Sequence, residues 1–206
     1  MTVVLHGHPF SSYCQKVTIA FREAGVPFEW KLIQSGEDFA ALRRLWSIGL
    51  MPVAVDGEKS VVESSIIIEH FAPGLVPSLD ARFLDRFFDN CVMTPMQKIV
   101  GDHIRPEAER DPRGVADAKA RLDVSYEWLD EGLKDRQWAL GEGFTVADCA
   151  AAPSLFYADW VEEIGPARPK LAAYRARLLA HPVVARAVDE GRPYRHFFPL
   201  GAPDRD

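Results

Sequence analysis

Apolar and polar positions follow two rhythms along this chain, and the change of rhythm divides it. Thr2–Val3–Val4–Leu5–His6 is a β-branched, apolar run that Gly7–His8–Pro9 breaks, as a strand running into a turn does. From Ser12 to Ala24 the period lengthens: Val17, Ala20, Phe21 and Ala24 share one helical face, and Gly25 and Pro27 stop the helix. Phe28 to Ile33 alternates as a second strand, and Gly36 to Trp46 reads as a short amphipathic helix. Pro52–Val53–Ala54–Val55 and Ser60–Val61–Val62 are two further strands around the hairpin turn Asp56–Gly57. An Ile-rich helix from Ser64 to Phe71 ends at Pro73–Gly74. A right-handed strand–helix–strand unit followed by a hairpin and a helix predicts a mixed four-stranded sheet with helices on both faces.

Beyond Asp80 the rhythm is helical throughout. Phe83, Leu84, Phe87, Phe88, Cys91 and Val92 make a bundle face, and Pro95 is expected to kink that helix. Further helices are expected from Val115 to Leu133, Thr145 to Trp160, Pro169 to Ala180 and Pro182 to Glu190, with an irregular tail from Gly191. The pattern therefore divides into an α/β domain over 1–74, a linker over 75–79 and an all-α domain over 80–206.

Composition changes this picture little but closes off some functions. Hydrophobic residues at 48% and charged residues at 26% are those of a chain with a sizeable core. A net charge of −6 gives no electrostatic pull toward nucleic acid, so no such partner is expected. No apolar run approaches the ~18 residues of a membrane span, so no membrane partner is expected either. Cys14, Cys91 and Cys149 are odd in number and widely spaced, which points to a reducing compartment. With no secretory leader pattern at the start, a cytoplasmic location is expected. His6–Gly7–His8, without a neighbouring Cys or acid, predicts no metal site.

Three short stretches carry chemistry. His8–Pro9–Phe10–Ser11–Ser12–Tyr13–Cys14 lies between the first strand and the first helix, where free N–H groups and the helix dipole favour an anion such as a thiolate. A Ser hydroxyl there has two possible roles: capping the helix, or donating a hydrogen bond to a bound thiolate. Lowering a thiol pKa from about 8.5 to about 6.5 takes ~2.7 kcal/mol, within reach of one charge-assisted hydrogen bond and a helix end. Met51–Pro52 opens the third strand. Glu63–Ser64 opens the third helix; Ser64 can cap it, its first N–H groups can meet a carboxylate, and Glu63 can accept an ammonium. That is the charge pair of an α-amino acid. Thr145 with Asp148 reads as a structural capping box.

In order and spacing, Ser11–Ser12–Tyr13–Cys14, Met51–Pro52, Glu63–Ser64, Phe144–Thr145–Val146–Ala147–Asp148, Pro169–Lys170–Leu171 and His181–Pro182 resemble the glutathione transferase family over nearly the whole chain. The resemblance implies a thioredoxin-like N-terminal domain holding glutathione as cosubstrate. It also implies an all-helical C-terminal domain contributing the site for a small-molecule electrophile, and a homodimer. Counting back from Lys16–Val17 puts Ser11 at the catalytic position of the serine-type theta, phi and zeta classes. Cys14 then matches only the second cysteine of a C-x-x-C pair, so dithiol exchange is not implied. By the same resemblance Pro52 is cis, the Met51 backbone pairs with the cysteinyl part of glutathione, Glu63 and Ser64 hold its γ-glutamyl end, and Ser12 lies alongside. Phe10 and His103 are the candidates for the electrophile site. Leu50 stands where the family often has Gln or Lys. Glu37 and Asp38 stand where basic residues commonly grip the glycyl carboxylate, leaving Lys31, Arg43 and Arg44 to compensate. The activity implied is thiolate attack on an electrophilic carbon. Glutathione-dependent isomerisation or dehalogenation shares the layout. The rival reading is a non-catalytic binding protein that keeps the fold.

Overall fold

A computed structural model describes residues 2–141 and 143–205; Glu142, in the run before the predicted capping box, lies outside them. The first part contains β1 (Val3–Gly7), α1 (Ser12–Glu23), β2 (Phe28–Leu32), α2 (Gly36–Leu45), β3 (Val53–Asp56), β4 (Lys59–Val62) and α3 (Ser64–Phe71). The sheet order is β2-β1-β3-β4. β1 pairs parallel to β2 and antiparallel to β3, and the β3–β4 hairpin closes at Asp56–Lys59. Gly57, at φ 61°, supplies the left-handed residue of that turn. α1 and α3 pack together on one face of the sheet. α2 covers the other, with Leu42 over Ile33 and Val53.

The helical part begins with α4 (Leu79–Phe87), which runs through a π-helical segment, Phe88–Met93, into α5 (Thr94–Ile104). The expected kink at Pro95 takes this form: a wider turn just upstream, where proline's missing N–H and its ring disturb the ladder. The carbonyl of Cys91, four residues before Pro95, accepts instead from Ser125 Oγ at 2.9 Å. Ser125 belongs to α6 (Pro112–Leu133), followed by α7 (Val146–Val161), α8 (Pro169–Ala180) and α9 (Pro182–Gly191). α7 is the centre: every residue from Val146 to Trp160 is buried, and the capping box of Thr145 and Asp148 starts it. Asp148 is itself buried, accepting from Ala139 N, Thr145 N and Tyr174 Oη at 2.6–2.9 Å. One hydrophobic core joins β1, α1 and α3 to α4 through α9.

The tail corrects the sequence reading. Arg192–Phe197 is a 3-10 helix rather than irregular chain. Rings fix it: Tyr194 lies 4.4 Å from His8, and Phe198 lies 4.9 Å from Trp160. The tail therefore returns to the β1–α1 turn.

Candidate active site

The β1–α1 turn is held from several directions. Ser11 is the N-cap of α1, in extended conformation, and its Oγ accepts from Cys14 N at 3.4 Å. Ser11 N donates to the His8 carbonyl at 3.0 Å, and Phe10 N donates to His8 Nδ1 at 3.1 Å. From inside, Gln15 Nε2 donates to Pro9 O at 2.9 Å and to Tyr157 Oη at 3.1 Å, while Tyr157 Oη donates to Phe10 O at 3.0 Å. The turn's two carbonyls are thereby tied to α7. Cys14 is fully buried, and burial pushes its thiol up to about 11, against hydrogen bonds from Ser11 and the His8 backbone. It is a packed residue, not a nucleophile.

Five residues singled out in the sequence meet in one cavity of about 480 Å³: Ser11, Met51, Pro52, Glu63 and Ser64. The Met51–Pro52 peptide is cis. Glu63 has φ 68°, a left-handed conformation that a non-glycine residue adopts at a cost, and such positions cluster where a ligand is held. The expectation that Ser64 caps α3 is corrected. Glu63 occupies the N-cap, Ser64 is the first helical residue, and no side chain caps the helix. The cause is that left-handed step at Glu63, which leaves the first N–H groups of α3 uncapped by any side chain, as an anion site requires.

The same cavity is lined by residues that the sequence reading did not single out, Arg86, Asp89 and Gln97 from the α4–α5 helix and Phe39 and Trp46 beyond Met51, and by Leu50, noted in the sequence as a departure from the family. Behind it lies a buried ionic knot. Lys16, 1% exposed, reaches Asp85 at 2.6 Å and Asp89 at 2.8 Å, and donates to Ser65 Oγ at 3.0 Å. Arg86 adds bonds to Ser65 Oγ at 3.2 Å and Asp89 Oδ2 at 3.0 Å. Burial raises the Asp89 carboxyl pKa, opposed by Lys16. The two acids four residues apart, interrupting an apolar helical face, were the available sequence signal.

A second chamber of about 440 Å³ opens on the other side of Ser11. Its walls are Phe10, Ser12, Met96, Val100, Ile104, Tyr157, Phe197 and Phe198 among others. Ser11, Tyr13 and Gln97 line both chambers. Phe10 lines this chamber, and Ser12 lines it rather than the first. His103 lines neither chamber; it is exposed on α5. The cleft-facing residues of that helix are 96, 97, 100, 101 and 104; at about 100° per residue they span an arc of roughly 140°, and position 103 lies at its rim, about 90° from the centre. Among the described residues, no group of His, Cys, Asp or Glu side chains gathers to hold a metal, and no helix is long and apolar enough to cross a membrane.

The family model described as the glutathione S-transferase N-terminal domain matches residues 5–73, and that of the C-terminal domain matches 87–182. The chain is similar to the glutathione S-transferase PARB of Nicotiana tabacum, 22% identical over 92% of this chain and 99% of the other. It is also similar to a probable maleylacetoacetate isomerase of Vibrio cholerae, 26% identical over 94% of this chain and 98% of the other. Among solved structures it resembles a glutathione S-transferase from Methylobacterium radiotolerans in complex with glutathione sulfonate. That match has a TM-score of 0.79 and 27% identity, covering 91% of this chain and 95% of that one.

Proposed function

Because the chain belongs to the glutathione S-transferase family, we propose that it conjugates glutathione to an apolar electrophile with the Ser11 hydroxyl stabilising the thiolate. One observation carries this reading: Ser11 stands on the wall shared by two chambers, one charged and one apolar. In the charged chamber Glu63 and Asp89 suit the cosubstrate's ammonium, while Arg86 and the uncapped start of α3 suit its α-carboxylate. The Met51 backbone pairs with the cysteinyl part, and the sulfur comes to Ser11. The thiolate attacks an electrophilic carbon held among Phe10, Met96, Val100 and Ile104, and the leaving group departs or the product takes up a proton. Tyr13, whose hydroxyl burial raises to about 12, remains protonated beside it.

Maleylacetoacetate isomerase chemistry is the second reading, prompted by the Vibrio relative. A dicarboxylate substrate needs cations, and among the described residues no Lys or Arg lines the second chamber, so conjugation is favoured. Ser11→Ala tests the proposal. The loss of one charge-assisted hydrogen bond is expected to lower kcat/KM about 10–100-fold and to raise the bound thiol's pKa by roughly 1–2 units, read from thiolate absorbance. Unchanged activity would assign Ser11 to capping alone.

Exposed Leu79 and Phe83, with Phe87 packed 4.4 Å from Trp128, form an apolar face that supports a homodimer, which sedimentation can check. Three free cysteines support a cytoplasmic location. We place the division between a glutathione-binding domain and a helical domain at 75–79, where a 3-10 turn gives way to α4.

A further inference from the structure

A third chamber, of about 300 Å³, adjoins the charged one through Phe39 and Met51, which line both. Its other walls are His8, Ile33, Gln34 and Phe197. Its place relative to the cosubstrate follows from charge, and rests on the glutathione reading above. The ammonium end belongs with Glu63 and Asp89 and the sulfur with Ser11, so the C-terminal end runs toward Phe39, Trp46 and Leu50, where the third chamber opens.

A terminal carboxylate finds little to hold it there. Among the described residues no Lys or Arg lines the chamber. Burial lowers the His8 pKa, so the ring brings no charge; with Nδ1 accepting from Phe10 N, Nε2 carries the proton and offers one neutral donor, which an ester carbonyl can use as well as a carboxylate. The Gln34 amide donates to Tyr194 Oη at 3.3 Å. Asp38 next to the chamber is held anionic, accepting from Gln34 N, Ser35 N and Ser35 Oγ. Two cations stand outside the chamber at this end: Arg43, its stem lying over Gly49, where a Cβ would come 2.8 Å from Arg43 Cγ, and Lys31, near enough to Asp38 to favour its anion. Space, largely apolar walls and neutral donors without a cation among them suit a neutral group better than a carboxylate.

We propose that this chamber receives a neutral, apolar substituent on the C-terminal end of the thiol cosubstrate, so that γ-glutamylcysteinyl thiols with an esterified or apolar-extended terminus are accepted as cosubstrates. The test compares glutathione with its glycyl benzyl ester in conjugation of a chlorodinitrobenzene by the full-length protein. The expected KM of the ester is equal to or below that of glutathione. Gln34→Lys, which brings a cation to the chamber wall, is expected to raise the ester-to-glutathione KM ratio about tenfold, as one charge-assisted carboxylate contact would. A wild-type ester KM about tenfold above that of glutathione, with the difference lost in Arg43→Gln, gives the carboxylate to Arg43 and overturns this inference while leaving the transferase reading intact. Activity with neither thiol overturns both.

Discussion

The two flanks of the Ser11 turn are built from opposite materials. Adjacent residues of α1 reach in different directions: Lys16 into an ionic knot with Asp85 and Asp89, and Gln15 into a neutral clamp with Tyr157 and Pro9. Both tie the turn to the helical part of the chain, and both are buried. They differ in what happens when one member is removed. A buried charge left without its partner carries a full desolvation cost, whereas a neutral amide or carbonyl left alone loses one hydrogen bond. The ionic flank is therefore all-or-none, and the neutral flank is a matter of geometry.

The sharpest way to break this comparison is Lys16→Met. It leaves Asp85 and Asp89 facing each other with Arg86 half-exposed as the remaining cation, and about 3–5 kcal/mol of stability is expected to be lost in urea unfolding. Adding Asp85→Asn and Asp89→Asn is expected to restore most of it, since no uncompensated charge then remains. A small loss in the single variant would mean that the knot is well hydrated. Tyr157→Phe probes the other flank: about 1–2 kcal/mol is expected, as Phe10 O loses its donor and Gln15 an acceptor. Because the freed carbonyl sits next to Ser11, kcat should fall with the KM for glutathione little changed; equal changes in both would contradict a positioning role.

How much of this was legible in the sequence follows the same division. The strand–helix order, Asp56–Gly57, Met51–Pro52 and Glu63–Ser64 are local patterns, and local patterns survive reading in one dimension. The meeting of Ser11, Pro52 and Glu63 in one cavity needed a resemblance to a family, because nothing local joins them. The knot was missed since Lys16 and Asp89 stand 73 positions apart, and a lysine in a helix ordinarily faces water. The tail looked irregular because Pro, Gly and charged residues hide a 3-10 turn whose order comes from His8 and Trp160, far upstream. His103 stands outside both chambers for a simpler reason: it sits at the rim of the helix arc that faces the cleft, and its side chain is exposed.

An exposed charge sharpens the contrast from the weak side. Asp38 closes the capping box at Ser35 and is partly exposed at the surface. Hydrogen bonds from Ser35 and from the backbone of Gln34 and Ser35 hold its carboxyl below the ordinary 3.8. A depressed folded-state pKa contributes stability above the unfolded value and loses it as pH falls through the folded one. Unfolding free energy should therefore decline below about pH 4 partly on account of Asp38, and Asp38→Asn should flatten that part of the curve. The difference is expected to be the smallest of the three and to shrink in high salt, because solvent screens this carboxylate as it cannot screen Asp85 or Asp89. If Asp38→Asn altered the acid limb as strongly as Lys16→Met alters stability at neutral pH, burial would not be what separates the strong charges of this protein from the weak ones.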